Sequence, residues 1–286
     1  MTVFPRPLDL VLLGLEFDPD GRRSRFELVP GVARHDGALY GGTAIAVSVA
    51  AMEAATGRPS LWITTQYVAT AALSDVIECT TEVLAAGRNV TQAQVTGRLR
   101  DEVVFVSVGS TATPRQDGLE GQYQQMPIVQ PPEATGEMAF GGGRPGGFQG
   151  FISQVEYRLA VVEDSEPSPP HLAFWSRIRG GRPATPASIA FVADMVPGAI
   201  ARAAGFVGGG ASLDNSLRFG HIPDGEEWIL LELRAHMAVG SHAHGSVHVW
   251  SRHGQLLAVG GQSANMRHMI SQEEFARFVE GGRAAE

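Results

Sequence analysis

"TAIAVSVAAMEAATG", residues 43–57, is small or apolar on nearly every side. Its Ala-rich run predicts a helix over residues 43–55, closed by Gly57, because glycine adopts the left-handed conformation that ends helices. A helix without a polar face cannot lie on a surface, so it must be enclosed all round. Strand-like runs surround it in the chain. "SRFELV" precedes it, and "LWITTQYVAT", "DVIECTTEVLAAG", "VTQAQVTGRLR" and "EVVFVSVGSTA" follow, with Val, Ile, Thr and Phe alternating with polar residues. "RDEV" reads as the turn between the last two.

The second half repeats this order. "QVEYRLAVVE" and "HLAFWSRIRGG" lead to "TPASIAFVADMVPGAIARAAG", residues 185–205. Thr185 is the expected N-cap, Pro186 the first helical residue, and Pro197 the point of a kink or break. The strands "ASLDNSLRFG", "EWILLELRAHMAVG", "HGSVHVWSR" and "QLLAVGGQSANMRH" follow, with "RHGQ" standing where "RDEV" stood. At the end, Ser271 and Glu274 have capping-box spacing and predict a short exposed helix. Two α+β domains are expected, residues 1–113 and 151–286, each a sheet wrapped round one helix. Residues 114–150, rich in Gly, Pro and Gln, read as a linker on the surface.

The chain has 286 residues, 44% of them hydrophobic and 18% charged, the mix of a globular protein with a substantial core. A net charge of -8 argues against nucleic acid as a main partner. Cys79 is the single cysteine, which excludes an internal disulfide and fits a reducing cytoplasm. Its alternating context reads as packing. No apolar run approaches the roughly 20 residues of a membrane span, and no small-residue cleavage site follows the apolar start, so no leader is expected.

The stretches "LDLVLLGLEF", "ALYGG", "SLDNSLRF" and "GGQSANMRH", in this order and spacing, resemble the type II acyl-CoA thioesterases. The resemblance covers most of the chain outside the linker. It implies a double hotdog fold, in which two sheets join edge to edge with a helix inside each. It also implies an acyl-CoA substrate with its acyl chain held between the halves, no cofactor, and association of copies through exposed sheet edges.

The family's site combines an Asp, a Thr or Ser, and a Gln around the attacking water. Carried over by motif, these fall on Asp214, His236 and Gln262, with His236 in "LRAHMA" departing from the expected hydroxyl. A histidine there can bond a water and act as a base near neutral pH. The "YGG" turn offers Gly41, Gly42 and Thr43 as backbone donors to an oxyanion or substrate at a helix start. Each residue also has a structural reading. Asp214 fits a strand edge, His236 a half-buried side chain, Gln262 a bond to a neighbouring strand, and the glycines a tight turn. Aligning the halves sets Gln66 opposite Asp214, Leu84 opposite His236 and Ser110 opposite Gln262, so one reactive centre is expected, in the second half.

Asp194 and Glu53, on the two central helices, read as helix-end or interface groups. His242, His244 and His248 share a strand face but have no acidic or thiol partner nearby, and no metal site is assigned. Arg88, Arg218, Arg234 and Arg267 are candidates for CoA phosphates, and Phe191, Met195, Leu217 and Trp250 for the acyl tunnel. A hotdog hydratase is disfavoured, because the residue five beyond Asp214 is Phe219 rather than His. A non-catalytic acyl-ligand binder is the other alternative, motivated by His236.

Overall fold

A computed structural model describes residues 4–115, 117–138, 150–160, 171–271 and 273–274. The first central helix, α2 (Gly41–Thr56), follows a short helix α1 (Pro7–Leu13). Every residue of α2 from Gly42 to Glu53 is buried, and Gly57 caps it in the left-handed conformation. Burying a side chain such as Ile45, Val49 or Met52 stabilises by about 1.5–3 kcal/mol, which makes α2 the anchor of its half.

The strands of the first half are β1 (Glu16–Phe17), β2 (Arg23–Glu27), β3 (Ser60–Tyr67), β4 (Val76–Ala86), β5 (Val90–Leu99) and β6 (Glu102–Ala112). Those of the second are β7 (Val155–Ala160), β8 (His171–Ile178), β9 (Phe206–Phe219), β10 (Ile229–Val239), β11 (His242–Ser251) and β12 (Leu256–Ser271). All lie in one antiparallel sheet of twelve strands, ordered β1-β2-β4-β5-β6-β3-β9-β12-β11-β10-β8-β7. The halves meet where β3 pairs with β9, from Trp62 opposite Arg218 to Gln66 opposite Asp214. This is an α+β double hotdog.

The second central helix is broken, as Pro197 predicts. α3 (Pro186–Val192) and α4 (Val196–Ala203) flank residues 193–195, and Pro197 sits in the first turn of α4, where no amide donor is needed. Thr185 caps α3 by accepting from the Ser188 N–H, and Ser188 returns the bond to the Thr185 N–H. The Thr185 hydroxyl also donates to Asp9 on α1 at 2.6 Å. Glu53 accepts from the Arg6 guanidinium at 3.0 Å and from the Ser60 N–H at 2.8 Å. The N-terminal segment thereby ties both central helices together.

The outer face of β8, β10 and β11 carries a second small core of Trp175, Trp228, Leu230 and Trp250. Met126 and Val129, from the segment expected as a linker, pack on it, and the Trp175 indole N–H donates to the Gln130 carbonyl at 2.7 Å. Trp250 therefore lies on the opposite face of the sheet from the helices and lines no path between them. The Ser271–Glu274 capping bonds are present and residues 273–274 are helical, while the rest of the expected helix lies outside the described residues.

The start of α2 crosses the end of α3 at Gly42. A Cβ on Gly42 would meet the Phe191 carbonyl oxygen and the Tyr40 ring well inside contact distance. Gly42→Ala should therefore push the helices apart and cost about 1–3 kcal/mol, read as a lowered denaturant midpoint with an unchanged slope. An unchanged midpoint would mean that the crossing is loose.

Candidate active site

Inside the sheet, four side chains from the second half converge on one point. Asp194 occupies the break between α3 and α4 and is buried. Its Oδ1 accepts from Asn215 Nδ2 on β9 at 3.1 Å and from Gln262 Nε2 on β12. Gln262 Nε2 also donates to the Ser212 hydroxyl at 2.8 Å, so both amide protons have acceptors. Gln262 Oε1 is buried and has no partner among the described residues.

The first half supplies the opposite wall. Asp194 accepts from the Gly42 N–H at the start of α2. Its Oδ2 lies 2.6 Å from where a Gly41 Cβ would stand, so any side chain at Gly41 would collide with the carboxylate. Tyr67 on β3 donates to the Gly41 carbonyl at 3.0 Å. Tyr40 donates to the Asp194 main-chain oxygen at 3.2 Å, stacks on Phe151 with centroids 3.6 Å apart, and meets Phe191 edge-on at 5.5 Å.

Burial pushes the Asp194 carboxyl up to about 7. The Asn215, Gly42 and Gln262 donors and the Arg34 charge pull the other way, each by less than burial raises it. The result is a carboxylate with its ionisation midpoint near neutrality, held by three donors at a helix start.

The expected grouping of Asp214, His236 and Gln262 does not form. Asp214 pairs with Ser263 on the outer face of the sheet, where its Oδ1 accepts the Ser263 N–H at 2.8 Å. The cause is a bulge. Ser212 pairs with Ala264 and Asp214 with Ser263, leaving Leu213 without a partner opposite it. Before the bulge Ser212 points inward, and after it Asn215 does, so the period-two reading that follows Ser212 with Asp214 fails here. His236 faces outward by plain alternation, since Leu231, Leu233 and Ala235 on the same strand point inward. It is also the extra residue of a second bulge, between Ala235, which pairs with Gly245, and Met237, which pairs with His244. The His236 ring is exposed and its Nε2 lies 2.8 Å from the Ser246 hydroxyl, on the outer face.

The "YGG" donors divide. Thr43 is not available, because its N–H bonds the Tyr40 carbonyl at 3.0 Å and its hydroxyl the Val32 carbonyl at 2.7 Å. The Gly42 N–H is used on Asp194, and Gly41 is left with the first amide of the helix. Arg218 lies over the Trp62 ring and Arg234 holds the buried Glu232, both on the outer face. Glu232 also gathers His171 and His248, yet among the described residues no group of three or more His, Cys, Asp or Glu has metal-binding geometry. A surface concavity of about 290 Å³, lined by residues such as Asp224, Trp228 and Arg252, shares no lining residue with the Asp194 cluster.

The sequence reads Asp194 as a helix-end or interface group and does not single out Ser212, Asn215 or Tyr67. The signal for Asp194 was present. It is the one acid in the run "PASIAFVADMVPGAIARA", ahead of a proline that forces a break.

A profile of the acyl-CoA thioesterase N-terminal domain matches residues 30–113, and one of the C-terminal domain matches residues 129–266. A protein provisionally assigned as a thioesterase from Novosphingobium aromaticivorans has 29% identity, with a TM-score of 0.78 over 89% of this chain and 98% of its own. A TesB protein of Mycobacterium avium subspecies paratuberculosis has 21% identity, with a TM-score of 0.73 over 91% and 98%. The acyl-CoA thioesterase II TesB2 of Mycobacterium marinum has 18% identity, with a TM-score of 0.71 over 91% and 97%. No curated protein matches the chain.

Asp194 has a folded-state midpoint near 7 against an ordinary value of 3.8. Between these values the unfolded chain releases a proton that the folded chain keeps, so stability falls as pH rises. Wild type should lose stability relative to Asp194→Asn between about pH 4 and 7, on the order of 3 kcal/mol. Denaturation of both proteins across that range checks it, and parallel curves would contradict the burial of the charge. Asp9, also pushed up to about 7 by burial, is common to both and cancels.

Proposed function

The chain belongs to the acyl-CoA thioesterase family, and on that footing we propose that it hydrolyses an acyl-CoA to the free acid and CoA at Asp194. The observation that carries this is the junction of a buried carboxylate, an amide and a hydroxyl, Asp194, Gln262 and Ser212, on the inner face of the sheet. The resemblance calls for an acid, a hydroxyl and an amide, and these three supply them. With Ser212 as the hydroxyl, the departure at His236 no longer argues for an inactive binder.

A water against Gln262 Oε1 would satisfy an acceptor whose isolation otherwise costs about 1–3 kcal/mol. Ser212 and Gln262 orient this water, and Asp194 takes its proton as the oxygen attacks the thioester carbon. The Gly41 N–H, reinforced by the positive end of α2, meets the developing oxyanion. The carbonyl re-forms as the C–S bond breaks, and the CoA thiolate leaves and takes a proton. A base with its midpoint near 7 is matched to this work at neutral pH.

Thiol release from a series of acyl-CoA chain lengths tests the reading. Asp194→Asn should lower kcat/KM at least about 100-fold, while Asp214→Asn, on the outer face, stays within about threefold of wild type. The wild-type rate should rise with pH to a plateau through a midpoint near 7, since the ionised carboxylate is the active form. The reverse ranking of the two variants would overturn the assignment.

A further inference from the structure

Tyr67 and Asn215 brace Asp194 and the Gly41 peptide through contacts that the hydrolytic step does not itself require. Asn215 Nδ2 donates to Asp194 Oδ1 at 3.1 Å, and the Asn215 side chain lies beside Tyr67. The Tyr67 hydroxyl donates in turn to the Gly41 carbonyl. In a trans peptide the carbonyl and the following N–H point in opposite directions. Fixing the Gly41 carbonyl therefore fixes the Gly42 N–H, and that N–H ends on the Asp194 carboxylate.

The Tyr67 hydroxyl gives its one proton to the Gly41 carbonyl. These contacts span both halves of the molecule. Tyr67 comes from β3 and Asn215 from β9, the two strands at the junction, where Thr65 pairs with Asn215.

We propose that Tyr67 and Asn215 are positioning residues, which turn the Gly41–Gly42 peptide and the Asp194 carboxylate together so that Oδ2 and the Gly41 N–H face the reacting carbonyl. The proposal rests on the hydrolytic role of Asp194. It makes activity depend on the joining of the halves, since neither half holds the acid in place alone. Arg34, whose charge bears on Asp194, and Asp214, whose charge bears on Tyr67, stay unchanged in the variants that test it.

The test uses Tyr67→Phe and Asn215→Leu in the full chain, with Gln66→Ala, exposed on the outer face beside Tyr67, as the control. Tyr67→Phe should lower kcat about tenfold, with KM within twofold, because the lost bond acts on the chemical step. Asn215→Leu should move the acid limb of the pH–rate profile upward by about one pH unit, since a donor to the ionised carboxylate is gone. Gln66→Ala should match wild type.

A second readout needs no substrate. Infrared titration of the carboxyl, assigned to Asp194 by the band lost in Asp194→Asn, should move upward in Asn215→Leu. Losses that follow only the folded fraction, with the limb and the carboxyl titration unmoved, would overturn the proposal and leave the Asp194 reading intact. An active Asp194→Asn would instead remove the reading on which the proposal rests.

Discussion

A carboxylate sealed between two helices and a sheet is the constraint around which this molecule is arranged. Asp194 would be costly to bury alone, because a charged group taken from water loses far more than one hydrogen bond returns. Amide donors from Asn215 and Gln262 and a main-chain N–H from the start of α2 offset that cost in part. What remains keeps the carboxyl near neutral pH, and the same incomplete compensation that weakens the fold suits the group to proton transfer. The glycines follow from the same constraint, since side chains at Gly41 and Gly42 would occupy the space of the Asp194 carboxylate and the Phe191 carbonyl.

The two halves share an architecture and divide the chemistry. Near the junction, the inward polar residues of the first half are hydroxyls. Thr65 bonds Ser107 at 2.8 Å, and Ser107 bonds Ser48 at 2.8 Å. Those of the second half are a carboxylate, two amides and a hydroxyl. The first half contributes a helix start, two glycines and Tyr67. On the proposed reading there is one centre per chain, assembled across the β3–β9 seam, and the double hotdog is the arrangement that brings the start of α2 to the break after α3.

Much of the fold was legible because its signals are local. The all-apolar run of α2 demanded enclosure, Gly57 ended it, and Thr185, Pro186 and Pro197 marked the start and break of the second helix. The site was less legible because a bulge stands in it. One residue of slip at Leu213 turns Asp214 outward and Asn215 inward, whereas His236 lies outside by the alternation of its own strand. Alternation along a strand cannot reveal a bulge, since the extra residue is defined by the partner strand and not by its own neighbours. Gln262 was singled out from a strand that stays in register at that point, and it lies inside. Asp194 stands in the sequence as an isolated acid that reads as a helix-end group, because the break that buries it depends on the packing of α2 against α3.

The most direct measurement is a crystal structure with a non-hydrolysable acyl-CoA thioether. The account predicts the carbon that replaces the thioester carbonyl on the inner face, within van der Waals reach of Asp194 Oδ2 and Gly41, with the pantetheine arm running out between the halves. Density for that carbon on the outer face beside Asp214, His236 and His244, with the Asp194 cluster unvisited, would contradict it.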